Sequence, residues 1–212
     1  QGLVSGSWLT IYGANLSSTS RAWAASDFVG SKLPISLDGV SVNVNGKAAA
    51  ISWISPTQIN AQAPSDSFTG TVTVEVRNSF GAATGEATLR TYAPAFFLFS
   101  GVAQGKYLAA VHPDGVYLGR RDLFQGALAT RPAKPGDVIL LFGTGFGPTN
   151  PLVAAGEVFS GAAWLSDPAQ LLIRIGGVIA EVRFAGLVGA GLYQFNVVEP
   201  NLPPGDQAVA AE

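Results

Sequence analysis

Cysteine and methionine are absent from the 212 residues, and histidine occurs once, at His112. Without Cys there can be no disulfide, no thiolate metal site and no cysteine nucleophile, whichever redox compartment the chain occupies. A translated chain begins with Met, so one that has none is expected to be a processed product or an excised piece. Charge is scarce as well. Only 12% of residues are Asp, Glu, Lys or Arg, about half the usual share for a soluble domain. The formal net charge is −2, and Arg120-Arg121 is the one basic cluster. That lacks the electrostatic footprint of a nucleic-acid binder, so no nucleic-acid partner is expected. No apolar run approaches the ~20 residues of a membrane span. The opening Gln1-Gly2-Leu3 has neither the basic region nor the apolar core of a signal peptide.

What is present is apolar residues at 48%, rich in Val, Ile and aromatics, punctuated by 26 Gly and 13 Pro. Short strands joined by frequent turns have this composition, so the chain reads as all-β. Its length suits two domains of roughly 100 residues, each able to bury a core.

An internal repeat supports the division. Gly6-Ser7-Trp8-Leu9-Thr10-Ile11-Tyr12-Gly13 matches Gly136-Asp137-Val138-Ile139-Leu140-Leu141-Phe142-Gly143, in each case a strand closed by Gly. Gln58-Ile59-Asn60-Ala61-Gln62-Ala63-Pro64 matches Gln194-Phe195-Asn196-Val197-Val198-Glu199-Pro200. The repeat anchors are thus Gly13, Gln58, Asn60 and Pro64 in the first half and Gly143, Gln194, Asn196 and Pro200 in the second. Between them, 42–53 and 172–184 read as hairpins turning at Asn45-Gly46 and Gly176-Gly177, pairs that supply the positive φ angles of a type I′ turn. Alternation at Val42 and Val44 and at Ile51 and Trp53 predicts one apolar face on each arm.

A second hairpin, from Gly70 through Asn78-Ser79-Phe80-Gly81 to Tyr92, closes the first domain, expected at 1–93. The second, at 94–212, opens on the strand Pro94–Phe99. It carries an inserted hairpin and covering loop at about 101–135, turning at His112-Pro113-Asp114-Gly115. The loops Ser17–Leu37, with Trp23 and Phe28, and Asn150–Asp167, with Trp164, are long for a sandwich connection. Their aromatics are expected to pin each loop to its own sandwich as a lid. The second domain is expected to lack its last strand, since it stops at Gln207–Glu212.

Several of these segments resemble the IPT/TIG family of immunoglobulin-like domains. They are Ser55-Pro56-Thr57-Gln58-Ile59-Asn60, Pro94-Ala95-Phe96-Phe97, Ala110-Val111-His112-Pro113-Asp114-Gly115 and Phe142-Gly143-Thr144-Gly145-Phe146-Gly147-Pro148. Their combination is similar to a two-domain C-terminal module of large secreted proteins of environmental bacteria. The resemblance implies two tandem immunoglobulin-like β-sandwiches, a secreted or cell-surface location, no enzyme activity and no cofactor. Since one fold hosts many functions, three roles stay open. They are a structural or adhesive module, a self-assembling subunit completed by strand exchange between copies, and a carbohydrate-binding accessory domain. Open sheet edges would meet protein partners or copies of the chain. A glycan would stack on Trp23, Trp53 or Trp164.

Catalytic and metal chemistry find little footing. A serine-hydrolase triad needs a His beside a Ser and a carboxylate, whereas His112 sits in a turn and is expected to donate a local hydrogen bond. The run Gly143-Thr144-Gly145-Phe146-Gly147 is followed by Pro148 and Pro151 instead of the helix a phosphate loop needs. Its glycines are expected to permit tight backbone turning. Asp114, Asp137, Asp167 and Asp206 form no calcium-loop pattern, and neither a catalytic nor a metal residue is assigned. The amides of Gln58, Asn60, Gln194 and Asn196 share a strand face in each repeat. They are either a polar ligand rail or hydrogen-bonding partners of neighbouring loop backbone.

Overall fold

The computed structural model describes residues 2–100 and 106–212; Gln1 and the first five residues of the expected insertion lie outside the described residues. The chain is two tandem immunoglobulin-like β-sandwiches, and among the described residues the helical elements are short 3₁₀ turns.

The first sandwich runs β1 (Gly2–Leu3), β2 (Trp8–Tyr12), β3 (Arg21–Ala22), β4 (Ser36–Leu37) and β5 (Val40–Val44). It continues with β6 (Lys47–Ala48), β7 (Ala50–Ile54), β8 (Gln58–Gln62), β9 (Gly70–Asn78) and β10 (Gly81–Leu89). One sheet has the order β1-β10-β9-β5-β4, with β6 on β5; the other is β2-β8-β7-β3. Strict alternation in β5 turns Val40, Val42 and Val44 inward against Ile51, Ile54, Ile59 and Ala61 of the facing sheet. Asn45 and Gly46 take φ of 51° and 73° at the β5–β6 turn, as a type I′ turn requires.

Two expectations for this half are corrected. The hairpin starting at Val42 ends at Ala48; the chain then changes sheets, so β7 pairs with β8 and not with β5. A register shift between Ile51 and Trp53 also puts these two side chains out of phase, Ile51 in the core and Trp53 half-exposed on the opposite face. A bulge adds one residue and so inverts the alternation beyond it. The closing hairpin turns over Ser79-Phe80, with Asn78 opposite Gly81 and β10 following directly.

The second sandwich comprises β11 (Ala95–Phe96), β12 (Ala110–Val111), β13 (Tyr117–Leu118), β14 (Thr130–Arg131), β15 (Val138–Thr144) and β16 (Thr149–Asn150). Then follow β17 (Ala163–Leu165), β18 (Ile173–Ile175), β19 (Val178–Ile179), β20 (Val182–Gly189), β21 (Leu192–Val198) and β22 (Val209–Ala211). The large sheet is ordered β14-β13-β12-β15-β21-β20-β17-β16, with β11 also on β15; the small one is β19-β18-β22. The two close over Ile139, Leu141, Phe195 and Val197 on one side and Ile173 and Ile175 on the other. Phe146 fills the end of this core, its ring centroid 4.3 Å from that of Phe195.

The segment Gln207–Glu212 holds β22, and among the described residues no strand stands beside it as β10 stands beside β9. β22 pairs antiparallel with β18, Ile173 opposite Ala211 and Ile175 opposite Val209, the place β9 takes beside β5. The inserted hairpin is β12–β13, with Val111 opposite Tyr117. His112 is more than a turn residue: it is 1% exposed, and its Nε2 lies 3.0 Å from the Arg131 carbonyl oxygen, tying the hairpin to β14.

Candidate functional site

The repeat anchors explain why both sandwiches share one frame. Backbone N–H groups of Gly6 and Ala63 donate to Ala63 and Ser7, and those of Gly136 and Glu199 donate to Glu199 and Asp137. Pro64 and Pro200 follow these paired bonds and, lacking an N–H, end the ladder. A Cβ on Gly13 would meet Leu16 at 3.1 Å, and one on Gly143 would meet Phe146 at 2.7 Å. In both repeats a glycine thus lets the side chain three residues on fold back over its own strand.

Where the repeats differ, the two sandwiches touch. Trp8 and Gln62 stand opposite each other in register, at positions occupied in the second half by the paired Val138 and Val198. Trp8 donates its backbone N–H to Thr144 Oγ1 at 2.9 Å and its indole N–H to the Ala190 carbonyl at 2.8 Å. Gln62, 2% exposed, donates Nε2 to the Gly6 carbonyl at 3.0 Å and accepts the Gly156 N–H on Oε1 at 2.9 Å. Both polar ends of the buried amide are therefore satisfied, one within the first sandwich and one across the joint.

The glycine run of β15 is the second part of the joint. The Ala93 N–H donates to Gly145 O at 3.0 Å, and Ala95 and Phe96 pair with Thr144 and Gly143. Gly145 has φ +78°, and a Cβ there would collide with the Ala93 carbonyl; one on Gly147, φ +94°, would collide with the Tyr92 ring. These glycines form the bed on which the interdomain linker lies, and a side chain would displace it. Tyr193 donates its hydroxyl to Gly147 O from beneath, and burial pushes that hydroxyl up to about 12.

The long loops supply the third part. They were expected to close each on its own sandwich, yet they meet each other. Leu33 N–H donates to Gly156 O at 3.0 Å, Val158 N–H to Ser31 O at 2.7 Å, and Lys32 is ion-paired with Glu157. Ala155 N–H donates to Ser65 Oγ at 3.0 Å. A cleft at the edge of the seam is lined by Gly6, Gln62, Leu152, Val153, Leu187 and Tyr193, and its polar groups are largely those that hold the joint.

The three tryptophans do not form one platform. Trp23 packs on the first core, 5.8 Å from Trp8 and 5.2 Å from Phe28 between ring centroids. Its loop is anchored by Arg21, which bonds Asp27 at 2.7 Å and Asp38 at 2.9 Å and holds both carboxyls below their usual range. Trp53 lies half-exposed on β7 opposite Asn60. Trp164, 51% exposed, sits in the other sandwich edge-on to Phe184 at 4.7 Å.

The amides of Gln58, Asn60, Gln194 and Asn196 bond each other, not loop backbone. Gln58 Nε2 donates to Asn60 Oδ1 at 2.8 Å and Gln194 Nε2 to Asn196 Oδ1 at 2.7 Å. The aspartates considered for calcium are dispersed. Asp114 pairs with Arg131, Asp137 accepts the Lys134 N–H, Asp167 bonds Gln170 and Asp206 bonds Tyr107. Among the described residues no three His, Asp or Glu side chains gather to hold a metal.

Paired sandwiches of this topology define an immunoglobulin-like, all-β class of protein. Residues 1–92 match the family model of the IPT/TIG domain, an immunoglobulin-like family of non-catalytic modules frequent in adhesion and surface proteins. No curated protein matches the chain. No helix is long and apolar enough to cross a membrane among the described residues.

Proposed function

We propose that the chain is a non-catalytic structural or adhesive module of a secreted or surface-attached bacterial protein. In this reading its two sandwiches, divided near Ala93, act as one stiff unit that holds other parts of that protein at a set distance and angle. The supporting observation is the joint. A linker that could have been a flexible tether is instead bedded on Gly143, Gly145 and Gly147, while Trp8 and Gln62 bond across the seam. Interfaces between domains within a chain are by default loose, so satisfying buried polar groups on both sides argues that the relative orientation matters.

Residual dipolar couplings test the reading. Both sandwiches are expected to fit one alignment tensor, and two independent tensors would sink it. A second reading, strand exchange between copies, is favoured by the edge of β22, which has no strand partner beyond β18 among the described residues. Sedimentation at high concentration distinguishes the two, because exchange requires a concentration-dependent oligomer.

A further inference from the structure

We propose that each sandwich carries a surface patch for a neutral glycan chain, centred on the Gln58–Asn60 amide pair in one domain and Gln194–Asn196 in the other. This goes beyond the role of stiff spacer. The patches lie on the outward faces of β8 and β21, where residues two apart share a face. Opposite Gln58 stands Tyr12, and opposite Asn60 stands Trp53. The second domain repeats the arrangement with Phe142 opposite Gln194 and Phe184 opposite Asn196. In both, a register shift immediately precedes the second aromatic, between Ile51 and Trp53 and between Val182 and Phe184. A bulge re-aims the side chain that follows it, and here it turns a large ring outward beside the amides twice over.

The chemistry of the patch selects the ligand. Each amide pair spends one N–H and one oxygen on itself. Gln58 Oε1 and Asn60 Nδ2, like Gln194 Oε1 and Asn196 Nδ2, have no protein partner among the described residues, so each pair presents one acceptor beside one donor. Neighbouring hydroxyls of a sugar ring offer the complementary donor and acceptor, and the aromatics on either side offer faces to its C–H bonds. Charge complementarity points the same way. The strands of the first patch carry no acid and only Arg21, already held by Asp27 and Asp38. Those of the second carry only Arg183, paired with Glu181 at 3.0 Å. A face without free charge fits a neutral polysaccharide and not an anionic one. The Thr10 hydroxyl on the neighbouring strand also donates to Asn60 Oδ1 at 3.1 Å, which fixes the amide in place and leaves Asn60 Nδ2 and Gln58 Oε1 facing outward.

The test is affinity gel electrophoresis of the whole chain through soluble neutral polysaccharides (mixed-linkage β-glucan, xyloglucan, glucomannan and amylopectin), with alginate as the anionic control. At least one neutral polymer is expected to retard the protein, and alginate is not. Trp164 extends the second patch, standing opposite Gly186, itself opposite Gln194, and edge-on to Phe184. Tyr12→Ala and Trp164→Ala alter side chains that are 75% and 51% exposed, so both variants are expected to fold, with circular dichroism and melting as the check. Tyr12→Ala lowers affinity about fivefold; the double variant Tyr12→Ala/Trp164→Ala abolishes retardation. Val29→Ala, exposed but off both patches, leaves it unchanged. Migration unaffected by every neutral polymer, equal retardation by alginate, or a folded double variant that behaves as wild type each overturns the proposal. So does retention that tracks self-association in sedimentation, which would make the face a contact between copies.

Discussion

Replacing Gln62 by Leu keeps volume and burial but removes two hydrogen bonds, one inside the first sandwich, to Gly6, and one across the joint, from Gly156. Gln62 bridges the Gly6 carbonyl at 3.0 Å and the Gly156 N–H at 2.9 Å from a site 2% exposed. Each lost bond is worth about 1 kcal/mol, and a backbone group left without a partner adds up to about 1 kcal/mol more where water cannot reach it. Gly6 and Gly156 are only partly buried, which places the sum at about 2–3 kcal/mol. For a chain of this size that corresponds to a fall in melting temperature of about 4–12 °C. Calorimetry reads this directly. Hydrogen exchange at the Gly156 amide reads it locally, since losing about 1 kcal/mol of protection speeds exchange about fivefold. Gln58→Leu is the matched control, the same change four residues earlier on the half-exposed outer face, and is expected to stay within about 0.5 kcal/mol. If Gln62→Leu melts with the wild type and Gly156 exchanges at an unchanged rate, Gln62 does not hold the joint.

Three further outcomes follow from the same structure. Gly145→Ala, which puts a Cβ at φ +78° into the Ala93 carbonyl, is expected to cost more than about 2 kcal/mol and to split the single alignment tensor in two; Gly156→Ala, at φ +78° with open space around it, costs about 1 kcal/mol and changes no orientation. The Asp66 carboxyl is pulled down to about 2 by the Phe68 backbone N–H, then by Asn45 and Lys47. Its contribution is therefore fully present above the unfolded carboxylate pKa of about 4 and fades as the pH falls toward 2, so melting of Asp66→Asn should depend less on pH in that interval than the wild type. Glu199 is shifted the other way, raised by burial and then by Asp137. Its ionised form opposes folding above the unfolded pKa, so Glu199→Gln is expected to raise the melting temperature at pH 7 and to leave it unchanged at pH 3.

Local chemistry makes much of the fold legible in the sequence. Asn45-Gly46 and Gly176-Gly177 can supply two consecutive positive φ angles, and both turns appear where they stand. Strict alternation in Val40–Val44 permits one buried face and no other. The repeat itself reported a shared frame, down to the paired backbone bonds before Pro64 and Pro200. What stayed hidden was everything that depends on bringing distant segments together. Trp53 was misplaced because a bulge costs one residue of register and leaves no mark in composition. β22 was missed because a three-residue strand is defined only by its partner, β18.

The joint shows the division most sharply. The departures of Trp8 and Gln62 from their valine counterparts Val138 and Val198 were visible in the sequence, as were three closely spaced glycines after Phe142. The sequence alone determined a glycine run fit for tight turning at the end of one strand, and an amide and an indole where the other repeat carries valines. Which partners, and what presses on the glycines, the tertiary structure decided. Gln62 and Gly156 are 94 residues apart, and no local rule connects them. Hydrogen bonds act over about 3 Å, so residues separated along the chain acquire a role only when the packing of two independent cores sets them side by side.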